Sequence, residues 1–331
     1  MRIFVTGGTG FVGSHIVDAL VKNYPVSDLG LLVRDVQKVD ASIRSDINIF
    51  KGNITNSAFL DESISSFDPG VIIHSAALAD DWAPTSLLME VNAQGTQNII
   101  DAMVQNKSVN CLIYVSSTGV YPRVEGVYIH EDYSYGPYGN YHKSKLVAEK
   151  SVKEAMGKEL IRATIIRPPN VMGIRDLTHM ARICQAIKNG KFPMIRHGQA
   201  RQTWVAAPDL AQAIILIIKQ PEKANGQIYN VKSFEITVKE LYDQVSQKMG
   251  ISDPPRNYPY ILAFSAGLIS EIMGKIRRKR STLNRYRVIK FAKDRLFDDS
   301  KIRLELGFEP KASAKETIEQ TVEWLQEEHI I

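Results

Sequence analysis

The chain has 331 residues, 44% of them hydrophobic and 23% charged, enough to bury a large core and a second lobe without help from disulfides or metals. Its two cysteines, Cys111 and Cys184, have no Cys-x-x-Cys spacing, which argues against a disulfide framework or zinc site and suits a reducing cytoplasm. The net charge of +5 is uneven: residues 275–295 hold ten basic side chains against Asp294 alone, so that segment carries +9 and the rest −4, and no nucleic-acid-binding motif accompanies it.

In chain order, strands are predicted at 2–6, 29–33, 71–74, 111–116 and 162–166, with helices at 13–22, 92–104 and 141–156. The N-terminus enters the first strand directly, without a secretory signal pattern. Repeated strand-helix-strand units of this length predict an α/β fold, a Rossmann-like, doubly wound parallel sheet covered on both faces. After Arg167 the pattern is less regular, and a smaller C-terminal substrate lobe is placed there. The division is 1–167 for the dinucleotide-binding domain and 168–331 for the lobe, with 204–231 returning to the sheet and helices at 208–219 and 312–328. Residues 258–269 are apolar but too short to span a bilayer, and predict a buried helix.

Thr6-Gly7-Gly8-Thr9-Gly10-Phe11-Val12-Gly13 places a glycine-rich turn between the first strand and the first helix. In such a turn Gly7 permits the sharp reversal, Gly10 the approach of a pyrophosphate, and Gly13 close packing of helix on strand, while the helix N-terminus faces the phosphates. The second strand ends in Arg34 and Asp35. An arginine there can pair with a 2′-phosphate, which favours NADP; NAD stays open because Asp35 can accept from a ribose hydroxyl instead.

Leu112 to Ser117 runs as a strand that breaks at Ser117, and Tyr141 and Lys145 stand four apart on the following helix, on one face. A free tyrosine with a pKa near 10 is a weak base at pH 7, but an adjacent ammonium favours its phenolate. Tyr141 is therefore the candidate acid/base, Lys145 its activator and Ser117 the group that orients the substrate oxygen. Tyr286 and Lys290 repeat the spacing inside the basic segment, without a serine strand before them, and read as an accident.

With these motifs the chain resembles the extended short-chain dehydrogenase/reductase family, which includes nucleotide-sugar epimerases, dehydratases and 3β-hydroxysteroid dehydrogenase-like enzymes. Further matches are Gly52-Asn53-Ile54-Thr55, His74-Ser75-Ala76-Ala77, Val91-Asn92-Ala93-Gln94-Gly95-Thr96, Arg167-Pro168-Pro169-Asn170-Val171-Met172-Gly173 and Leu304-Glu305-Leu306-Gly307-Phe308-Glu309-Pro310. The resemblance implies that Asn53 and Ile54 border the adenine, although the family more often has aspartate at position 53. It implies that Thr9, Phe11 and Val12 belong to the phosphate loop, that Ala76 and Ala77 line the pyrophosphate and ribose, and that Pro168 and Val171 lie near the nicotinamide. For Asn92 it leaves a structural and a direct role equally open.

Sugar 4,6-dehydratases that resemble this chain carry an Asp-Glu pair after the serine or threonine, where Thr118 and Gly119 stand here, so elimination of water is not expected. Thr118, Asn170 and Arg201 are the candidate substrate contacts, an arginine being suited to a diphosphate through its planar fork. The leading expectation is hydride transfer to or from a secondary alcohol or ketone on an apolar, sterol-like or β-keto substrate, since the apolar stretch before the basic segment resembles the steroid dehydrogenase-like branch. A nucleotide-sugar 4-epimerase and a non-catalytic NAD(P)-sensing regulator are the alternatives. The resemblance also implies a homodimer built on helices 92–104 and 141–156. The basic segment is read as a solvated face, or with residues 258–280 as a peripheral contact to an acidic membrane.

Overall fold

The computed structural model describes residues 1–80, 82–277 and 285–331. Arg278, Lys279 and Arg280 of the basic segment, and the side chains of Lys275, Arg277, Tyr286 and Arg287, lie outside what it describes. Seven strands form the main sheet, numbered in chain order as β1 (Ile3–Thr6), β2 (Leu29–Val33), β3 (Asn48–Lys51), β4 (Val71–His74), β5 (Cys111–Val115), β6 (Ala163–Arg167) and β7 (Ile228–Asn230). They lie in the order β7-β6-β5-β4-β1-β2-β3, every pairing parallel. The order reverses between β1 and β4, where a doubly wound sheet opens its ligand crevice at the strand carboxyl ends.

Side chains alternate along β1: Ile3 and Val5 enter the core beneath the helices Phe11–Asn23 and Ala207–Lys219, while Phe4 enters the core beneath Ser57–Phe67, Gly95–Gln105 and Asn140–Gly157. Both faces are therefore covered, and the central strands read as continuous apolar runs. The helix expected at 92–104 is preceded by a π-helical turn, Met89–Gln94.

A second core gathers Met180, Cys184, Trp204, Leu241, Val245 and Val322. It lies around a three-stranded sheet of Asn170–Met172, Arg201–Ala206 and Phe234–Thr237, in which Arg201–Ala206 is central. Between these lobe strands the chain returns to the main sheet: Ala207–Lys219 packs on Phe11–Asn23, and β7 pairs with β6.

The stretch expected as a buried helix does form one, Tyr260–Arg277, but it is not buried. Ala263 is covered while Ile261 is 75% and Leu262 63% exposed. Apolar composition reports that a segment is helix-prone and greasy; which neighbours cover it is decided by the rest of the chain.

Candidate active site

Gly7 takes φ +77°, and a Cβ there would lie 2.6 Å from the Ala76 backbone nitrogen, so only glycine lets the loop after β1 pass this close to the loop after β4. Gly10 caps the helix Phe11–Asn23 with no side-chain hydrogen bond, which leaves that helix N-terminus facing the crevice. Gly13 packs directly against the Gly7 carbonyl, and Thr9 is half-buried in the loop. This bare, close-packed cradle fits a pyrophosphate, which would take its hydrogen bonds from the helix N-terminus.

β5 ends at Val115 and the chain turns at Ser117, whose Oγ accepts from Gly119 N–H at 3.0 Å and caps the short 3-10 turn that follows. That acceptance fixes the hydroxyl at the mouth of a cavity of about 300 Å³ that Tyr141 also lines. One turn along the tyrosine helix, Asn140–Gly157, Lys145 is 2% exposed. Its Nζ donates to the Val115 carbonyl at 2.7 Å and lies 4.3 Å from the centroid of the Tyr114 ring. Burial pushes this lysine down to about 7, against the opposing pull of Glu149.

Glu149, the next turn along, is fully buried, a position a carboxylate tolerates only when paired. Its Oε2 accepts from Ser116 Oγ (2.5 Å) and Arg167 Nε (3.1 Å), and its Oε1 from Tyr135 OH (2.9 Å) and a second Arg167 nitrogen (2.5 Å). Burial alone would lower the Arg167 pKa, but its bond to Glu149 overrides this and raises it. The pair welds the tyrosine helix to β6 directly behind Ser117.

A second chain of bonds holds the opposite wall. Thr96 Oγ donates to the Asn92 carbonyl (2.6 Å), so it accepts from His74 Nε2 (3.0 Å), and His74 Nδ1 accepts from Thr6 Oγ (2.6 Å). The histidine is thereby a neutral imidazole, in keeping with a pKa pushed down to about 3 by burial and by Lys145. Asn92 clamps Leu78 through both its N–H (2.7 Å) and its C=O (3.1 Å) and donates to Ser144 Oγ (2.9 Å), which donates to the Tyr141 carbonyl (2.7 Å). Asn92 is 1% exposed and does not line the cavity, so its contacts are those of a positioning residue. The π-turn around it re-aims the helix so that this amide reaches both partners.

Three cations, Arg123, Lys290 and Arg295, line the cavity together with the neutral imidazoles of His142 and His179, and Asp176 is the one acid among the described residues that do. Asp176 is engaged elsewhere, accepting from the backbone N–H groups of Thr178, His179 and Met180 and so starting the helix Met180–Lys188. Lys290 Nζ donates to His179 Nε2 at 2.9 Å, and His179 stacks on Trp204. Arg295 donates to the Pro122 carbonyl at 3.0 Å. His142 is pushed down to about 3 by burial and by Arg123, Arg295 and Lys290. Its ring fills the space beside Gly119, where a Cβ would come within 1.9 Å of Nδ1.

Of the substrate contacts expected from sequence, Thr118 and Asn170 line this cavity, as do Phe11, Val12 and Val171 on the cofactor side. Arg201 does not: it is exposed, with its backbone N–H bonded to Asp294 at 2.7 Å and its side chain 3.9 Å from the same carboxylate. Alternation along Arg201–Ala206 turns Gln202 inward in its place. Gln202 is 4% exposed, donates to the Lys293 carbonyl at 2.8 Å and presents an Oε1 with no hydrogen-bond partner. Asn53 is exposed and accepts from Thr55 N–H, and the Ile54 side chain is in the core, so only its backbone can meet an adenine. Ala76 adjoins Gly7, Ala77 is exposed beyond it, and buried Pro168 accepts from Thr118 N–H at 3.0 Å. Arg34 and Asp35 are both exposed at the tip of β2, Asp35 accepting from Gln37 N–H at 3.0 Å.

The NAD dependent epimerase/dehydratase family matches the chain over residues 3–231. The chain belongs to that family. As an epimerase/dehydratase-family protein it is an extended short-chain dehydrogenase/reductase enzyme that works with a nicotinamide dinucleotide. It is 27% identical to the N-acetyl-α-D-glucosaminyl-diphospho-ditrans,octacis-undecaprenol 4-epimerase of Escherichia coli O157:H7, over 98% of this chain and 95% of that one. It is 26% identical to the decarboxylating sterol-4-α-carboxylate 3-dehydrogenase of Candida albicans, over 98% of each. The fold matches UDP-glucose 4-epimerase of Thermotoga maritima (TM-score 0.79, 20% identity, 99% of this chain and 100% of that one). It also matches a dTDP-glucose 4,6-dehydratase of Streptomyces venezuelae (TM-score 0.79, 22% identity, 99% and 97%).

Sequence reasoning missed the cations and the neutral histidines of the family member's cavity. Lys290 and Arg295 were in plain view as part of the basic segment, but linear charge density does not say which members turn inward. Arg123, His142 and His179 are single residues with no spacing signal.

Proposed function

We propose that the protein is an oxidoreductase of the 4-epimerase kind, acting on a sugar that carries a diphosphate, the form in which a lipid-linked sugar is held. The observation that carries this is the set of three cations, Arg123, Lys290 and Arg295, that line the cavity with Tyr141, beside the neutral imidazoles of His142 and His179. An anion gains there from several positive groups in a site partly shielded from water. Asn170, Thr118 and the unpartnered Gln202 Oε1 supply the acceptors and donors that a polyhydroxylated ring needs. The diphosphate-linked sugar named for the Escherichia coli relative has these features. The apolar substrate expected from sequence gains less support, because the greasy surface of Tyr260–Arg277 lies outside the cavity lining.

The dinucleotide supplies the hydride acceptor and donor. Ser117 Oγ–H holds the substrate hydroxyl, and Tyr141 takes its proton as the carbon loses hydride and becomes a ketone. Return of hydride to the other face of that ketone, with Tyr141 giving the proton back, inverts the carbon with no net change in cofactor. At the far end Arg34 is free to meet a 2′-phosphate while Asp35 is held by Gln37, which favours NADP over NAD. Exposed Val104 and Val147 on the helices Gly95–Gln105 and Asn140–Gly157 suit the homodimer expected of this family.

The test is to incubate purified protein with UDP-N-acetylglucosamine, with a polyprenyl-diphospho-N-acetylglucosamine and with a sterol 4-carboxylate, following sugar stereochemistry and reduced-nicotinamide absorbance. Isomerisation of a diphospho-sugar without net reduction is expected. Net reduction with the sterol and no isomerisation of either sugar would overturn the proposal. Binding of NADP and NAD to wild type and Arg34→Ala tests the cofactor preference, which should fall in the variant.

A further inference from the structure

The helix Tyr260–Arg277 has one covered side, where Tyr260, Ala263 and Phe264 meet Ile195, Val288 and Ala292. Its other side is open: Ile261 is 75% exposed, Leu262 63%, Leu268 37%, Ile269 57%, Ile272 50% and Met273 41%. Ile261, Leu268 and Ile272, and beside them Leu262, Ile269 and Met273, are spaced seven and then four apart and so form one stripe, about 18 Å long at a rise of 1.5 Å per residue. From Tyr258 to Gly274 the sequence holds a single charged residue, Glu271. Glu271 is neutralised by Arg285, which donates to it from its backbone N–H (2.7 Å) and its Nε (2.9 Å). Immediately after the stripe the sequence reads Lys275, Arg277, Arg278, Lys279 and Arg280.

A continuous apolar stripe on a water-soluble surface marks an interaction site. Among the described residues no helix is long and apolar enough to cross a membrane. The combination of an apolar stripe with a basic run at one end fits a surface that is greasy below and anionic above. We propose that the helix Tyr260–Arg277 lies flat on an anionic lipid bilayer, its stripe at the acyl boundary, with the basic sequence that follows it supplying the attraction to anionic headgroups. The position adjoins the cavity: the helix Arg285–Ala292 buries Val288 and Ala292 against this one and carries Lys290, which lines the cavity. The inference rests on the surface alone and holds whichever alcohol is the substrate.

The experiment is flotation of the full-length protein with phosphatidylcholine vesicles and with vesicles containing phosphatidylglycerol, at low and high salt. Binding to the anionic vesicles, weakened by salt and by about tenfold or more in Leu262→Glu/Ile269→Glu, is expected. Both positions are on the open side, so circular dichroism, cofactor binding and turnover of a water-soluble diphospho-sugar should stay as in wild type. No flotation with anionic vesicles at low salt overturns the proposal. So does a concentration-dependent dimer that the double variant abolishes while vesicle binding is absent. Failure of the substrate assay with intact flotation would fall on the proposed chemistry and leave this surface standing.

Discussion

Two helices of this protein carry a tyrosine followed four residues later by a lysine, and they differ in almost everything else. On Asn140–Gly157, Lys145 is sealed from water, bonded to the Val115 carbonyl, poised over the Tyr114 ring and backed by the Glu149–Arg167 pair. On Arg285–Ala292, Lys290 is half-buried and donates to His179, on the opposite side of the same cavity. The first lysine is built into a low-dielectric frame, where its charge acts strongly on close neighbours such as His74. The second belongs to a wall of cations, where its charge acts on whatever enters. The spacing is common to both, and the surroundings assign the role.

The sharpest way to break the comparison is Tyr141→Phe, expected to cost about 10²- to 10⁴-fold in kcat/KM, the usual contribution of a positioned acid/base, with cofactor binding retained. Turnover rates measured with saturating cofactor decide it, and near-normal rates would remove Tyr141 from the chemistry. Next comes the frame behind it. Glu149→Gln leaves the Arg167 guanidinium buried without its counter-charge, and should lower unfolding stability by about 3–5 kcal/mol in chemical denaturation. On the other wall, Lys290→Ala and Arg295→Ala should each raise KM for an anionic substrate by about tenfold, the value of a lost charge-assisted hydrogen bond, and leave kcat within about twofold. A loss confined to kcat would mean that the wall takes part in hydride transfer and does not simply hold the anion.

The remaining test is a pH dependence. Lys145 is pushed down to about 7 in the folded chain, whereas an unfolded lysine has a pKa of about 10.4. Below about pH 7 both states carry the ammonium, and the cost of burying it acts in full. Between about 7 and 10.4 the folded chain releases a proton that the unfolded chain keeps, so stability rises with pH. Thermal unfolding of wild type against Lys145→Met across that window should show a difference that moves in favour of wild type. A difference that stays flat would mean that Lys145 stays charged when buried.

Much of the frame was legible because it rests on local rules. Apolar runs separated by helix-length segments specify a parallel sheet, and Gly7, Gly10 and Gly13 between β1 and the first helix specify its cradle. Three elements of the main-sheet layers, β3, β7 and the helix Ser57–Phe67, went unassigned: β3 has only half-buried or exposed side chains and no alternation strong enough to mark an edge strand, and β7 is three residues long. The exchange of Gln202 for Arg201 at the cavity was a one-residue matter of which side of a strand faces inward, which the register with Phe234–Thr237 and Asn170–Met172 sets.

What the sequence determined by itself was the sheet, the glycine loop and the meeting of Ser117 and Tyr141 at one cavity with Lys145 buried a turn behind, because each is written in neighbouring residues whose spacing follows the period of a strand or helix. Tertiary structure decided the charge of the cavity and the exposure of Tyr260–Arg277. Both depend on residues far apart in sequence, such as Arg123 with Arg295, or Ile195 with Ala263 and Val288. Burial and electrostatic fields are sums over space, and the linear order of a chain does not carry them.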